Sequence, residues 1–242
     1  MKHIIFILAM ITPLGCKSTK SALANNQTFK EPPPCSKRTK LNQMCWIAPT
    51  SVHPTQFALG LRDVNDKKIT IASIKNNRDA LHTYLAQKKV PAVKGPKAKF
   101  YIVDGHHTTR ALAEAEVSKV YITIIKDYSV MSFTEFFQTL QNENLLWMYD
   151  ENGQRQTEYD RIPEQITKLK DDPYRSLAEN AAEAGAYTKN GVFFQQFKWA
   201  NYFRPRINRQ LVETNYSEAV RRAKEIAKEQ SASDLPGYDA KE

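Results

Sequence analysis

The chain has 242 residues, 41% hydrophobic and 10% aromatic, which is enough to build a core and excludes a mainly disordered or collagen-like chain. Lys and Arg number 35 against 26 Asp and Glu, and the net charge of +9 suits an anionic partner such as nucleic acid, a phosphorylated small molecule or an anionic membrane face. It selects none of them, because the positive residues are scattered, and no apolar run approaches the roughly 20 residues of a membrane-spanning helix.

Residues 1–16 carry an export-signal pattern: Lys2, an apolar stretch over 4–11, then Gly15-Cys16 at cleavage-site distance. Pro13-Leu14-Gly15-Cys16 is similar to a bacterial lipobox, apart from Pro13 where an aliphatic residue is usual. Cys16 is therefore a lipidation candidate that would tether the chain to a membrane, with ordinary cleavage near Ala22 or Ala24 as the alternative. The expected location is the periplasm, a membrane anchorage or the exterior. Residues 17–44, rich in Ser, Asn, Lys and Pro, read as a linker. With Cys16 set aside, Cys35 and Cys45 form an even pair, and in an oxidising compartment a disulfide is favoured over two free thiols. A zinc pair fits worse, with nine residues between them and no neighbouring histidine.

From 45 to 150 the pattern is mixed α/β. A short apolar stretch at 56–61 is followed by a helix at 78–88, capped by Asn76 or Asn77, and by strands at 90–93 and 100–103. A helix at 107–116, a strand at 119–126 and a helix opened by the Ser132…Glu135 capping box complete this part. Residues 151–230 read as a helical C-terminal portion, with segments at 163–170, 174–184, 192–203 and 216–230. Asp171-Asp172-Pro173 is a helix-start signal, and Arg175 just inside it is expected to form a local ion pair with Asp171 or Asp172. Phe193, Phe194, Phe197, Trp199, Tyr202 and Phe203 are read as core rather than as a base-stacking platform, and 231–242 as a disordered tail.

The chemistry concentrates at Asp104-Gly105-His106-His107-Thr108-Thr109-Arg110, a strand-to-helix junction. Such a junction exposes amide donors and the positive end of a helix. Gly105 permits a sharp turn and close approach of an oxyanion, and Arg110 lies one turn beyond the histidines. Asp104 is placed to orient an imidazole or to hold a divalent cation such as Mg²⁺ or Mn²⁺. His106 is expected to be the neutral general base and His107 the structural partner, an assignment that a one-residue shift of the helix start would reverse. The bland reading is an ordinary turn with a capping histidine. A zinc site is disfavoured, since adjacent histidines diverge by about 100° on a helix and no HExxH is present.

Asp104-Gly105-His106-His107 after a strand resembles the ParB/sulfiredoxin superfamily, and within it the ParB-like nuclease branch. Pro54-Thr55-Gln56 leading to Gly60, Val90-Pro91 through Gly95-Pro96, Asp171-Asp172-Pro173-Tyr174-Arg175-Ser176-Leu177-Ala178 and Phe197-Lys198-Trp199-Ala200 add to the resemblance, which runs over 53–204. It implies a small mixed sheet with helices, and a junction that binds nucleotide phosphates. Members bind or hydrolyse CTP, transfer phosphate from ATP, or are described as nucleases. The sulfiredoxin cysteine is replaced by His106, which excludes sulfinic-acid repair, and Thr108 stands where the serine-kinase branch has arginine.

Two classes of function follow. One is a nuclease or phosphoesterase with His106 or His107 as general acid–base, Arg110 stabilising charge on phosphorus, and Asp104 orienting a histidine or a metal ion. The other is a non-catalytic module for a nucleotide, nucleic acid or other anionic ligand. Gly105, Thr108 and Thr109 are ligand-binding candidates, and His53 and Gln56 are expected at the same mouth.

Overall fold

The computed structural model describes residues 30–240; the expected export signal and the lipidation candidate Cys16 lie outside the described residues. In chain order the elements are β1 (Met44–Ile47), β2 (His53–Pro54), β3 (Ala58–Leu59), α1 (Leu61–Ile74), α2 (Arg78–Gln87), β4 (Val90–Lys94), β5 (Phe100–Ile102), α3 (His106–Glu114), β6 (Val120–Asp127) and α4 (Phe133–Asn142). After a long irregular stretch come β7 (Lys170–Asp171), α5 (Pro173–Glu183), α6 (Gln195–Phe203), α7 (Arg209–Thr214) and α8 (Tyr216–Ile226). This is the expected α/β sheet with helices followed by a helical C-terminal portion.

The main sheet has the order β1-β6-β4-β5-β2, and β3 pairs with β7 in a separate two-stranded ribbon. The sheet is mixed: β4 runs parallel to β6 and antiparallel to β5, while β2 runs parallel to β5. Side chains along β5 alternate between its faces, as the pleat requires. Phe100 and Ile102 join the core shared with α1, α2 and α3, whereas Tyr101 and Val103 join the aromatic core under α4. A third cluster, around Trp199 and Phe203, holds α5 to α8 together.

The sequence-expected helices at 78–88 and after Ser132 are present. Asn77 caps α2 by accepting from the Ala80 amide, and Ser132 and Glu135 form the reciprocal capping box of α4. Helix α1 was not expected, because Arg62-Asp63-Val64-Asn65-Asp66-Lys67-Lys68 is nearly all polar and only Asp63, Val64 and Ile71 are buried along it. The expected helix at 163–170 is instead a short 3₁₀ turn at Ile166–Lys168 leading into β7. The amides of Lys170 and Asp172 donate to the carbonyls of Phe57 and Leu59, so pairing with β3 overrides helix formation there. Helix α7 was likewise read as connection.

Both ends of the expected domain are corrected. The compact unit begins at Glu31 rather than at 45. Cys35 and Cys45 are disulfide-bonded, Pro34 bridges to Trp46, and buried Lys94 donates to the carbonyls of Lys37 and Thr39. At the other end, the expected disordered tail is packed through Asp239, whose carbonyl accepts from Lys228 Nζ. Ala232 is buried, and the Pro236 carbonyl accepts from Gln195 Nε2 at 2.8 Å and Trp199 Nε1 at 2.9 Å.

Candidate functional site

Strand β5 delivers Val103 and Asp104 to a turn at Gly105, where α3 begins. Gly105 has φ +72°, a left-handed conformation, and a Cβ there would meet Val90 Cγ2 at 2.7 Å. Asp104 Oδ1 accepts from the Gly105 amide at 2.6 Å, and the Gly105 carbonyl accepts from the Thr109 amide and hydroxyl. The amides of His106, His107 and Thr108 therefore open the helix with no carbonyl one turn earlier to receive them.

The two histidines tie this junction to neighbouring backbone. His106 Nε2 accepts from the Thr55 amide at 3.2 Å, and His107 Nε2 accepts from the Gly60 amide at 3.1 Å. An imidazole nitrogen that accepts carries no proton, so in each neutral ring the proton sits on Nδ1. Gly60 is pressed against α5, where a Cβ would overlap Ser176 Oγ, and this close approach brings α1 and α5 to the same place.

These elements wall a cleft of about 500 Å³. From the junction it receives Asp104, Gly105, His106, His107 and Thr108. Gln56, Asp63 of α1 and Arg175 of α5 complete its floor, and Lys67, Lys88, Lys89 and Lys189 stand around it with Phe193, Phe194 and Phe197. Arg175 is 8% exposed, and its Nε and Nη1 have no hydrogen-bond acceptor. Its guanidinium lies 4.9 Å over the Phe197 ring, and Nη1 is 3.8 Å from Glu179 Oε2.

Burial, reinforced by Arg175, drives His106 down to about 3 and His107 well below the ordinary value of 6.5. Burial pushes Asp63 up to about 7, with Arg175 opposing and Glu179 assisting. Asp63 Oδ2 has no hydrogen-bond partner, whereas Oδ1 accepts from Asn180 Nδ2 at 3.4 Å. Burial also works against ionisation of Glu179, but the hydrogen bond from Lys189 and the charge of Arg175 hold it below the usual carboxylate range. The cleft thus contains neutral imidazoles, a carboxyl that titrates near neutrality and a guanidinium with donors to spare.

The family model described as "Putative ParB-like nuclease" matches residues 46–205. The chain belongs to the ParB-like nuclease family. A crystal structure of protein Atu1540 from Agrobacterium tumefaciens is similar to this ParB-like chain, with a TM-score of 0.74 and 33% identity over 83% of this chain and 99% of that one. None of the curated proteins matches.

Within this ParB-like framework the expected site residues divide. Asp104, Gly105, His106, His107, Thr108 and Gln56 share the cleft. Thr109 does not line it, being fully buried with its hydroxyl on the Gly105 carbonyl. Arg110 turns away: Nε donates to Glu114 at 2.6 Å and Nη1 to the carbonyls of Leu169 and Ile166, so it staples α3 to the segment before β7. His53 opens onto a different cavity, its ring 5.1 Å from that of Tyr101. Asp104 is exposed and its side chain bonds its own turn rather than a histidine. The general-base role expected of His106 conflicts with the Thr55 amide occupying its Nε2 lone pair.

Arg175 does not pair as expected either. Asp171 accepts from the Leu61 amide and Asp172 binds Arg204 at 2.7 Å, which frees Arg175 for the cleft. Asp63 was missed; nothing in its local sequence marks it, since its environment is made by α5. In the aromatic stretch Phe197, Trp199, Tyr202 and Phe203 are core as expected, but Phe193 is 43% exposed.

Proposed function

We propose that the cleft binds a phosphate-containing ligand on Arg175 and cleaves a phosphodiester or phosphate-ester bond there. Arg175 itself carries this reading: a buried guanidinium with two N–H-bearing nitrogens lacking acceptors is matched by a phosphate, which offers several oxygens to such a fork. The amides of His106, His107 and Thr108 add donors at the positive end of α3, and Gly105 lets an oxyanion come close. Arg175 thereby takes the role expected of Arg110. Support for cleavage comes from Asp63, which keeps its proton up to about pH 7: as a water forms the new bond to phosphorus and releases a proton to solvent, the ester bond breaks and Oδ2–H protonates the leaving oxygen. His106 and His107 bind and position through Nδ1–H.

No group of three His, Cys, Asp or Glu suited to a metal ion is found among the described residues. Asp104 offers one carboxylate oxygen at the mouth, and Mg²⁺ or Mn²⁺ held by so few protein ligands would complete its shell with water and ligand phosphates. The chain is read as an exported protein, which agrees with the Cys35–Cys45 disulfide. The competing reading is a binding module without catalysis, favoured by the engagement of both Nε2 atoms with backbone amides.

The test is incubation with DNA, RNA and a dinucleotide, with and without Mg²⁺ or Mn²⁺, alongside calorimetric titration. Arg175→Met should abolish binding and turnover, whereas Arg110→Met should spare binding. Binding without cleavage in any condition supports the module. Equal binding by wild type and Arg175→Met overturns the proposal.

A further inference from the structure

A second cavity, of about 520 Å³, lies between β2, β5, the start of α4 and the segment 159–164. It shares no lining residue with the cleft. Its walls bring together the rings of His53, Tyr101, Phe133, Phe137 and Tyr159. Phe137 stacks on Tyr159 at 5.4 Å, meets Tyr101 edge-on at 5.7 Å and lies 4.7 Å from Phe133. Phe133 is nevertheless 47% exposed, so aromatic surface is left uncovered beside this cluster. At the rim, Lys97 and Ala98 take left-handed φ values of +58° and +55° in succession, backbone strain of the kind that collects at ligand sites.

The polar groups narrow what fits. The Tyr159 hydroxyl is met by Gln141 at 3.0 Å. Tyr101 is only 6% exposed, and its hydroxyl has no hydrogen bond among the described residues. Leaving a buried hydroxyl unmet is costly, and a polar atom of a bound molecule would answer it. The charges around the cavity cancel: Lys97 and Lys99 are balanced by Asp160 and Glu164, with Lys99 and Glu164 3.6 Å apart. Burial and the nearby Lys99 hold His53 below its ordinary value, so it adds no charge near neutral pH. The lysines oppose a cation and the carboxylates oppose an anion, in contrast to the basic cleft.

We propose that this cavity is a separate site for a small neutral aromatic molecule of one or two rings, whose single hydroxyl or carbonyl hydrogen-bonds the Tyr101 hydroxyl. Its ring packs on Phe133 and Phe137, where offset and edge-on contacts add to the burial of apolar surface. The volume lies within the range of small-molecule pockets, and apolar walls with few polar groups are their usual composition. A saturated molecule of the same outline would bury similar area but lose the ring contacts.

The experiment titrates 2-naphthol into the full chain at pH 7, beside decahydro-2-naphthol, 2-naphthoate and 2-naphthyl-trimethylammonium. 2-Naphthol should bind and shift the ring signals of His53 and Tyr101 in NMR spectra. The saturated alcohol should bind roughly fivefold more weakly, and each ion more weakly than 2-naphthol. Tyr101→Phe, which removes only the hydroxyl, should weaken 2-naphthol about fivefold, and Phe133→Ser about tenfold. Arg175→Met should bind it as wild type does, because the cleft takes no part. Absence of binding, equal binding of the saturated alcohol or of either ion, or unchanged affinity in Tyr101→Phe or Phe133→Ser overturns the proposal. Affinity lost in Arg175→Met would place 2-naphthol in the cleft and overturn it as well.

Discussion

His107 Nε2 and Asp63 Oδ2 stand 3.7 Å apart, and they meet as neutral groups rather than as an ion pair. Burial lowers the histidine and raises the aspartic acid, so each avoids charge in the same enclosed place. The His107 lone pair is already engaged by the Gly60 amide, which leaves the proton on Asp63 until the pH passes about 7.

Phosphodiester affinity should therefore depend on pH near neutrality. A phosphodiester does not itself titrate there, and it is repelled by Asp63 only once that carboxyl has ionised. Affinity for a dinucleotide is expected to fall as pH rises through about 7, the value to which Asp63 is pushed. Asp63→Asn should bind with little pH dependence between mildly acidic and mildly alkaline conditions. Calorimetric titration across that range checks it, and an unchanged pH profile in the variant would contradict it.

Arg175 should contribute to function at no benefit to stability. Its Nε and Nη1 make no hydrogen bonds within the protein, so Arg175→Met removes a buried cation whose compensation is incomplete. The melting temperature is expected to stay the same or rise, while phosphodiester binding weakens by about 2–5 kcal/mol. A large drop in melting temperature would place Arg175 in the scaffold instead.

The histidines should shape acid sensitivity. In the unfolded chain His106 titrates near its ordinary 6.5, but in the folded protein near 3. Between those values the unfolded chain binds a proton that the folded one refuses, so stability is lost as pH falls through the window. Asp63 acts oppositely: its folded value of about 7 exceeds the ordinary 3.8, so its contribution is greatest in acid and lost as pH rises through 7. His106→Gln keeps an acceptor for the Thr55 amide and should flatten the acid limb. Urea midpoints measured from pH 3 to 7 test this; an equally steep limb in the variant would refute it.

Gly105→Ala should damage both fold and site. Its φ of +72° disfavours any side chain, and the added Cβ would crowd Val90, for an expected cost of about 1–3 kcal/mol. Combining it with Val90→Ala should relieve the crowding but not the backbone strain. Denaturant unfolding of the three variants separates the two contributions.

The sequence was legible where the determinants are local. Gly105 after a β-branched strand, the Ser132…Glu135 box and Asn77 before α2 each act within a few residues, and each element formed as read. The site was only half legible, because its electrostatics depend on contacts distant in sequence. Arg110 and Arg175 are both arginines near a helix start, and their roles are decided by the carbonyls of Ile166 and Leu169 for one and by the pairing of Asp172 with Arg204 for the other. Nothing local marks Asp63 in its polar stretch, and its enclosure is made by α5, whose Asn180 meets its Oδ1.

The most direct measurement follows backbone amide and arginine Nε–H signals by NMR as a dinucleotide is added. Binding at Arg175 and the start of α3 should shift the amides of His106, His107 and Thr108 together with Arg175 Nε–H, and leave Arg110 Nε–H, bonded to Glu114, nearly unmoved. Shifts confined to the cavity beside His53 and Tyr101, with those four signals unchanged, would contradict it.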